Sequence, residues 1–245
     1  MKAIILAAGQ GVRLRPLTDD RPKCMVEYEG VPLIDHILNT LDSCNVSPIV
    51  IVAGYRAAVL EQHVRFRNPR VAINSQYATT NMVHSLFCVE DELTSDVIVS
   101  YSDIVYKPEI VRALLNSPAD LAITIDTEWL SLWKRRMENP LDDAETLQLD
   151  GNGRVLDLGR KPHSIEEVQG QYMGLIKFSS NILNEVKGLY HSLDRRALYD
   201  GKKLPEMYMT TFLRELIQAG VPCQSVPIQG GWLEIDEPSD LNVSI

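Results

Sequence analysis

Up to about residue 127, hydrophobic positions follow two alternating periods. "KAIILAA" is a short apolar run ended by Gly9, which predicts a buried strand. "VPLIDHILNTLDSC" then places apolar residues at helical spacing, and "PIVIVAG" is again strand-like and stops at Gly54. "YRAAVLEQHVRF" predicts a helix and "RVAIN" a short strand; "TTNMVHSLFCVEDEL" predicts a helix with a Thr or Asn cap. "DVIVSYSD" is a strand, "KPEIVRALLNS" a helix with proline in its first turn, and "DLAITID" another strand. Strands that alternate with helices imply an α/β fold: a mainly parallel sheet, helices on both faces and right-handed crossovers.

Beyond that point the period changes. "AETLQLDGNGRVLDLG" alternates apolar and polar residues around Asp150-Gly151-Asn152-Gly153, which predicts a β-hairpin. "GQYMGLIKFS" reads as a further strand. Two amphipathic helices are expected near 180–193 and 206–219, followed by short strands in "CQSVPI" and "GWLEID". No repeat, low-complexity tract or linker breaks the chain. It is read as one domain, residues 1–245, with an insertion at about 128–170.

Composition narrows the function classes. The 245 residues are 45% apolar, enough for a substantial core, and carry a formal net charge of −9. An acidic chain is a poor nucleic-acid binder, because that binding rests on basic surface. Cys24, Cys44, Cys88 and Cys223 have no zinc-ligand or redox spacing and are expected to be buried thiols in a reducing compartment. No run approaches the roughly 20 apolar residues of a membrane span, and the N-terminal apolar run is too short for a signal peptide. A cytoplasmic protein without membrane or nucleic-acid partners is the expectation.

Against this acidic background, "LAAGQGVRLRPLTDDRPK" at residues 6–23 gathers Arg13, Arg15, Arg21 and Lys23 beside Gly9 and Gly11, with only Asp19 and Asp20 against them. A dinucleotide fingerprint is excluded, since Leu14 stands where the third glycine belongs and Pro16 and Pro22 hold the chain extended. A Gly-Lys-Ser phosphate loop is absent too. The remaining phosphate reading is a glycine-rich turn at the carboxyl end of a parallel strand, whose backbone N–H groups can wrap a polyphosphate; the other reading is a surface loop with solvated cations, in which four like charges would repel one another. Arg13 and Lys23 then add charge-assisted hydrogen bonds.

The same stretch resembles the signature loop of the nucleotidyltransferases that join a nucleoside triphosphate to a small phosphate ester. That family includes sugar-1-phosphate pyrophosphorylases and phosphocholine cytidylyltransferases. Later landmarks resemble it in order. Asp103 stands where a metal-binding aspartate follows the fourth strand, and "GRKP" at 159–162 resembles Glu-Lys-Pro with Arg160 replacing Glu. "GQYMGLIKF" resembles the Gly-x-Tyr strand, and "WLEIDEPSDL" the closing Ile-Asp-x-x-x-Asp segment. The resemblance implies a Rossmann-like nucleotidyltransferase fold and direct transfer. An acceptor oxygen attacks the α-phosphorus and pyrophosphate leaves, with no covalent enzyme intermediate. It implies Lys23, Arg13, Asp103 and Asp236 as catalytic residues, with Mg²⁺ held by Asp103 and Asp236. Leu6, Ala7, Ala8, Gly9, Gly11, Arg13, Lys23, Asn81, Ser85 and Asp103 form its nucleotide site.

"YATTNMVHSL" resembles the Asn-x-x-x-Ser-Leu stretch of phosphocholine and phosphonate cytidylyltransferases, in which Asn and Ser lie beside the cytidine. CTP is therefore the favoured nucleotide. A hexose-1-phosphate nucleotidyltransferase using UTP or dTTP shares every catalytic residue, and a non-catalytic nucleotide-sensing subunit is a third reading. For the acceptor, Trp129, Trp133, Tyr172, Tyr208 and Trp232, with Lys161, are candidates. Aromatic faces attract ammonium groups, which suits a zwitterionic phosphate ester or phosphonate. Phosphocholine, 2-aminoethylphosphonate, another phosphonate or an amino-acid phosphate such as phosphoglutamine all satisfy that description. The other reading of these rings is that they fill the core of the insertion. Dimers are common in the family, so a homodimer is possible.

Overall fold

The computed structural model describes residues 1–245. Its centre is a seven-stranded sheet built from β1 (Lys2–Ala7), β2 (Ile49–Ala53), β3 (Arg70–Ile73), β4 (Val97–Tyr101), β6 (Leu121–Asp126), β9 (Gln171–Phe178) and β10 (Cys223–Ile228). Off this sheet lie β5 (Ile104–Tyr106), the hairpin β7 (Leu147–Leu149) and β8 (Val155–Leu158), and β11 (Trp232–Glu234), which pairs antiparallel with β5. The sheet order is β10-β6-β9-β4-β1-β2-β3. Six strands run in one direction, and β9 alone is antiparallel to both its neighbours.

β1 is buried at every position, as its unbroken apolar run requires. Its alternate residues divide between two cores: Ala3, Ile5 and Ala7 on one face, Ile4 and Leu6 on the other. Helices α1 (Leu33–Ser43), α2 (Ala57–Val64), α4 (Pro108–Asn116) and α5 (Trp129–Arg136) cover the first face. Helices α3 (Met82–Phe87), α6 (Leu183–Ser192) and α7 (Met209–Gln218) cover the second.

Three details depart from the sequence expectation. α3 is a single short helix, and a separate 3-10 turn at Glu90–Glu92 follows it. A 3-10 turn, Val12–Leu14, opens directly after Gly11, which sits at φ 62°. A side chain at Gly11 would place its Cβ 2.9 Å from the Lys23 Cβ, so glycine here lets the two ends of the loop close on each other. Of the four cysteines, Cys24 and Cys223 are buried, but Cys44 is half-buried and Cys88 exposed.

Strand order explains where a crevice opens. From β1 the chain turns to β2 on one side, whereas β4, reached later, lies on the other. The connections therefore diverge at the carboxyl ends of β1 and β4 and leave a crevice, the usual ligand site of an open α/β sheet. The glycine loop follows β1 and Asp103 follows β4, so both meet there.

Candidate active site

The crevice is a cavity of about 280 Å³ lined by Leu6, Ala8, Gly9, Gly11, Arg13 and Lys23 from the loop and by Asn81, Ser85, Asp103 and Asp236 from elsewhere. Nine of the ten expected nucleotide residues are thereby brought together. Ala7 is the exception: its side chain points into the opposite core. Val12, Tyr77, Thr80, Met82, Tyr101 and Ser102 complete the wall and were not singled out in the sequence.

Lys23 is the centre of the charge arrangement. Its Nζ donates to Asp103 Oδ2 at 2.6 Å and to Asp236 Oδ1 at 2.5 Å. Arg13 Nη2 lies 2.9 Å from that same Asp236 oxygen. Burial works against the Lys23 ammonium, but the Asp103, Asp236 and Glu234 carboxylates outweigh it and raise its pKa. Burial likewise opposes the charge on Asp236, and Lys23, Arg13 and Arg136 outweigh it, so Asp236 stays ionised. The other two loop cations are elsewhere: Arg15 pairs with Asp19 at 3.6 Å and Arg21 with Asp20 at 3.0 Å, all on the surface. Of the four cations, two serve the crevice and two are solvated.

A third carboxylate joins the cluster. Oxygens of Asp103, Glu234 and Asp236 all lie within 4.8 Å of one another. Burial first, then the two aspartates, push the Glu234 carboxyl well above the usual range. Glu234 was missed in the sequence; its i, i+2 spacing from Asp236, which puts both on one side of extended chain, was the signal that could have found it. Asp103 Oδ1 is buried without a hydrogen-bond partner. Three close oxygen donors, one of them unsatisfied, fit a hard divalent cation such as Mg²⁺.

Asn81 caps α3, and its side-chain oxygen accepts the Met82 N–H at 2.8 Å. Ser85 is one turn further on; its hydroxyl accepts from Asn74 Nδ2 at 3.0 Å and donates to the Asn81 carbonyl at 3.3 Å. Both residues face the cavity, with Asn74 fixing the serine from behind.

A second cavity of about 260 Å³ adjoins the first and shares Arg13, Met82, Tyr101 and Asp236 with it. Asp143, Glu145, Gln171, Tyr172, Tyr208 and Thr210 line its far side. Tyr172 and Tyr208 are thus placed beside the charge cluster. The three tryptophans are not, and that expectation is corrected. Trp129, Trp133 and Trp232 are only 1–3% exposed and pack edge-on or tilted against one another in the core. Apolar burial of three large rings decides their position, as the alternative reading of them held. Lys161 also stands away from both cavities; its Nζ donates to the carbonyls of Leu141 and Asp142 and so ties down a loop.

Glu145 in this second cavity carries a testable signature. Burial first, and Asp143 second, push its carboxyl up to about 7 from an ordinary 4.5. The folded state then holds a proton that the unfolded chain has released, so stability falls as pH rises between about 4.5 and 7. Glu145→Gln is expected to stabilise the protein at pH 8 by on the order of 1–2 kcal/mol, and far less at pH 4.5. Thermal melts of both proteins at the two pH values check this; an equal gain at both would rule out the buried-charge cause.

Residues 3–165 match the family of the MobA-like NTP transferase domain. A CTP:phosphoglutamine cytidylyltransferase from Campylobacter jejuni is 46% identical over 252 residues, spanning 100% of this chain and 99% of that one. Among solved structures, the inositol-1-phosphate CTP transferase from T. maritima superposes with a TM-score of 0.77 at 20% identity, covering 98% of this chain and 91% of that one. The CTP:phosphocholine cytidylyltransferase from Streptococcus pneumoniae superposes with a TM-score of 0.72 at 21% identity, covering 98% and 95%. At such identities the two structures speak for the fold. No helix of this chain is long and apolar enough to cross a membrane.

Proposed function

The chain belongs to the MobA-like NTP transferase family, and from that premise we propose that it transfers CMP from CTP to a small phosphate-bearing acceptor and releases pyrophosphate. The observation that carries this reading is the meeting of Lys23 and Arg13 with Asp103 and Asp236 between two adjoining cavities. One cavity has the glycine loop and Asn81 for a nucleotide, and the other has room for an acceptor.

In the reaction an acceptor phosphate oxygen forms a bond to the α-phosphorus as the bond to the leaving pyrophosphate breaks. The acceptor oxygen is already anionic, so no general base or protein nucleophile is required; positioning and charge neutralisation suffice. Lys23 turns from the carboxylates to the α-phosphate, while Arg13, at the exposed rim, holds the departing phosphates. Backbone N–H groups of the Gly9–Gly11 turn add further donors. Asp103 and Asp236, with Glu234 beside them, would hold Mg²⁺, which would neutralise phosphate charge.

CTP is favoured by Asn81. Because Met82 N–H engages its side-chain oxygen, the amide NH₂ is left to donate. Cytosine offers acceptors at O2 and N3, whereas uracil presents a donor at N3. An opposed donor costs about 1–3 kcal/mol, so CTP is expected to exceed UTP about 10- to 100-fold in kcat/KM. The half-buried acids Asp143 and Glu145, with Tyr172 and Tyr208, suit an acceptor that carries an ammonium group. That chemistry agrees with phosphoglutamine, the acceptor named for the Campylobacter relative.

The test is pyrophosphate release with Mg²⁺ and each of CTP, UTP, dTTP, ATP and GTP. The acceptors are phosphoglutamine, phosphocholine, 2-aminoethylphosphonate and glucose-1-phosphate. CTP with an amine-bearing acceptor is expected to be the best pair. UTP or dTTP with the sugar phosphate as the best pair would move the protein to the hexose group, and no turnover with any pair would favour a sensing subunit.

A further inference from the structure

Arg136 ends α5, and its side chain is 2% exposed. Its central carbon lies 4.8 Å from the centroid of the Trp133 ring, so that buried indole forms the floor beneath it. Four carboxylates surround it. Nε is 3.0 Å from Asp240 Oδ1, and Nη2 is 3.4 Å from Asp240 Oδ2 and 3.8 Å from Asp236 Oδ2. Nη1 lies 3.5 Å from Glu234 and 3.8 Å from Asp143 without a hydrogen bond to either.

Asp240 is the intermediary. Its Oδ2 accepts the backbone N–H groups of Asp236 at 2.8 Å and Glu237 at 2.9 Å. The two oxygens of Asp236 are therefore divided: Oδ1 faces Lys23 and Arg13 in the crevice, and Oδ2 faces Arg136 in the interior. A fork of fixed geometry can hold Asp240 and face Asp236 at once, which a point charge cannot.

We propose that Arg136 is a positioning residue: through Asp240 and by its own charge it sets the direction of the Asp236 carboxylate. It also remains the counter-charge of Asp236 when Lys23 turns to a phosphate. This rests on the reading of Asp236 as a ligand of the transferred nucleotide's divalent cation. Groups behind a metal ligand commonly change affinity or activity 10- to 100-fold when removed.

The test compares the wild type with Arg136→Gln, Arg136→Lys and Asp240→Asn, each kept well below its own melting temperature. Mn²⁺ binding with α,β-methylene-CTP, followed by the EPR signal of free Mn²⁺, is read without turnover. Mn²⁺ affinity is expected to fall about 10- to 100-fold in all three variants. In assays, kcat should fall by a similar factor while KM for CTP changes less than about threefold. Arg136→Lys should regain melting temperature but not Mn²⁺ affinity, which separates positioning from mere support of the fold. Wild-type Mn²⁺ affinity in the folded variants would overturn the proposal, as would a wild type that binds no Mn²⁺. If the Arg136 variants do not fold, Asp240→Asn decides by the same criterion. A wild type that binds Mn²⁺ but turns over no nucleotide would end the functional reading and leave this comparison standing.

Discussion

Lys23→Ala is expected to lower kcat with CTP by about 10²–10³-fold, the loss found when one fixed donor to developing charge is removed. Lys23 is the only cation bonded to both Asp103 and Asp236, and its side chain is 12% exposed, so no solvent-borne charge readily replaces it. Its raised pKa keeps it protonated throughout the neutral range, so the loss should be the same from pH 6 to 9. The variant also leaves two carboxylates facing each other without their ammonium. Added Mg²⁺ should therefore raise the melting temperature of Lys23→Ala by more than it raises that of the wild type. Stopped-flow or steady-state pyrophosphate release and paired melts with and without Mg²⁺ read both effects. Turnover within threefold of wild type in a folded variant would remove Lys23 from the chemistry.

The opening loop was legible because its pattern combines several independent demands. Strand, glycines, prolines and cations each have a separate physical cause, and all fall within eighteen residues. The alternating periods placed the strands for the same reason: β1, β2, β4 and β6 are mostly apolar and almost wholly buried because helices cover both faces of the sheet. The antiparallel run of β9 had no such signal, since an apolar run buried on both faces reads alike in either direction.

Side-chain function outside the loop was harder to read. Trp129, Trp133 and Trp232 share aromatic character with Tyr172 and Tyr208, yet burial sends the indoles to the core and leaves the phenols at the cavity. Arg136 sits in the run Lys134-Arg135-Arg136, which resembles a solvated helix end. Only the tertiary arrangement, with Asp236 and Asp240 closing from about a hundred positions away, buries the side chain of that one member and leaves Lys134 and Arg135 exposed. Asp143 and Glu145 fall in the stretch between α5 and β7, where sequence alone gives no direction for a carboxylate.

Asp103→Asn and Asp236→Asn are expected to produce losses in kcat of about 10³-fold or more, since metal-borne charge stabilisation is worth several kcal/mol and each decade takes about 1.4. Asparagine preserves the volume of aspartate, so the two changes remove charge without opening a cavity. They differ in what remains. Asp103 bonds Lys23 through Oδ2 and keeps Oδ1 buried and unsatisfied, so Asp103→Asn should chiefly weaken the divalent cation. Asp236 holds Lys23 and Arg13 through one oxygen, so Asp236→Asn should weaken the cation and also release both basic residues. The expected pattern is a higher Mg²⁺ midpoint in both variants, together with a raised KM for CTP in Asp236→Asn alone. Mg²⁺ titrations of pyrophosphate release at saturating and subsaturating CTP distinguish these effects. If both variants kept the wild-type Mg²⁺ midpoint, the carboxylate pair would not be the metal site, and the loss of rate would have to come from Lys23 and Arg13 alone.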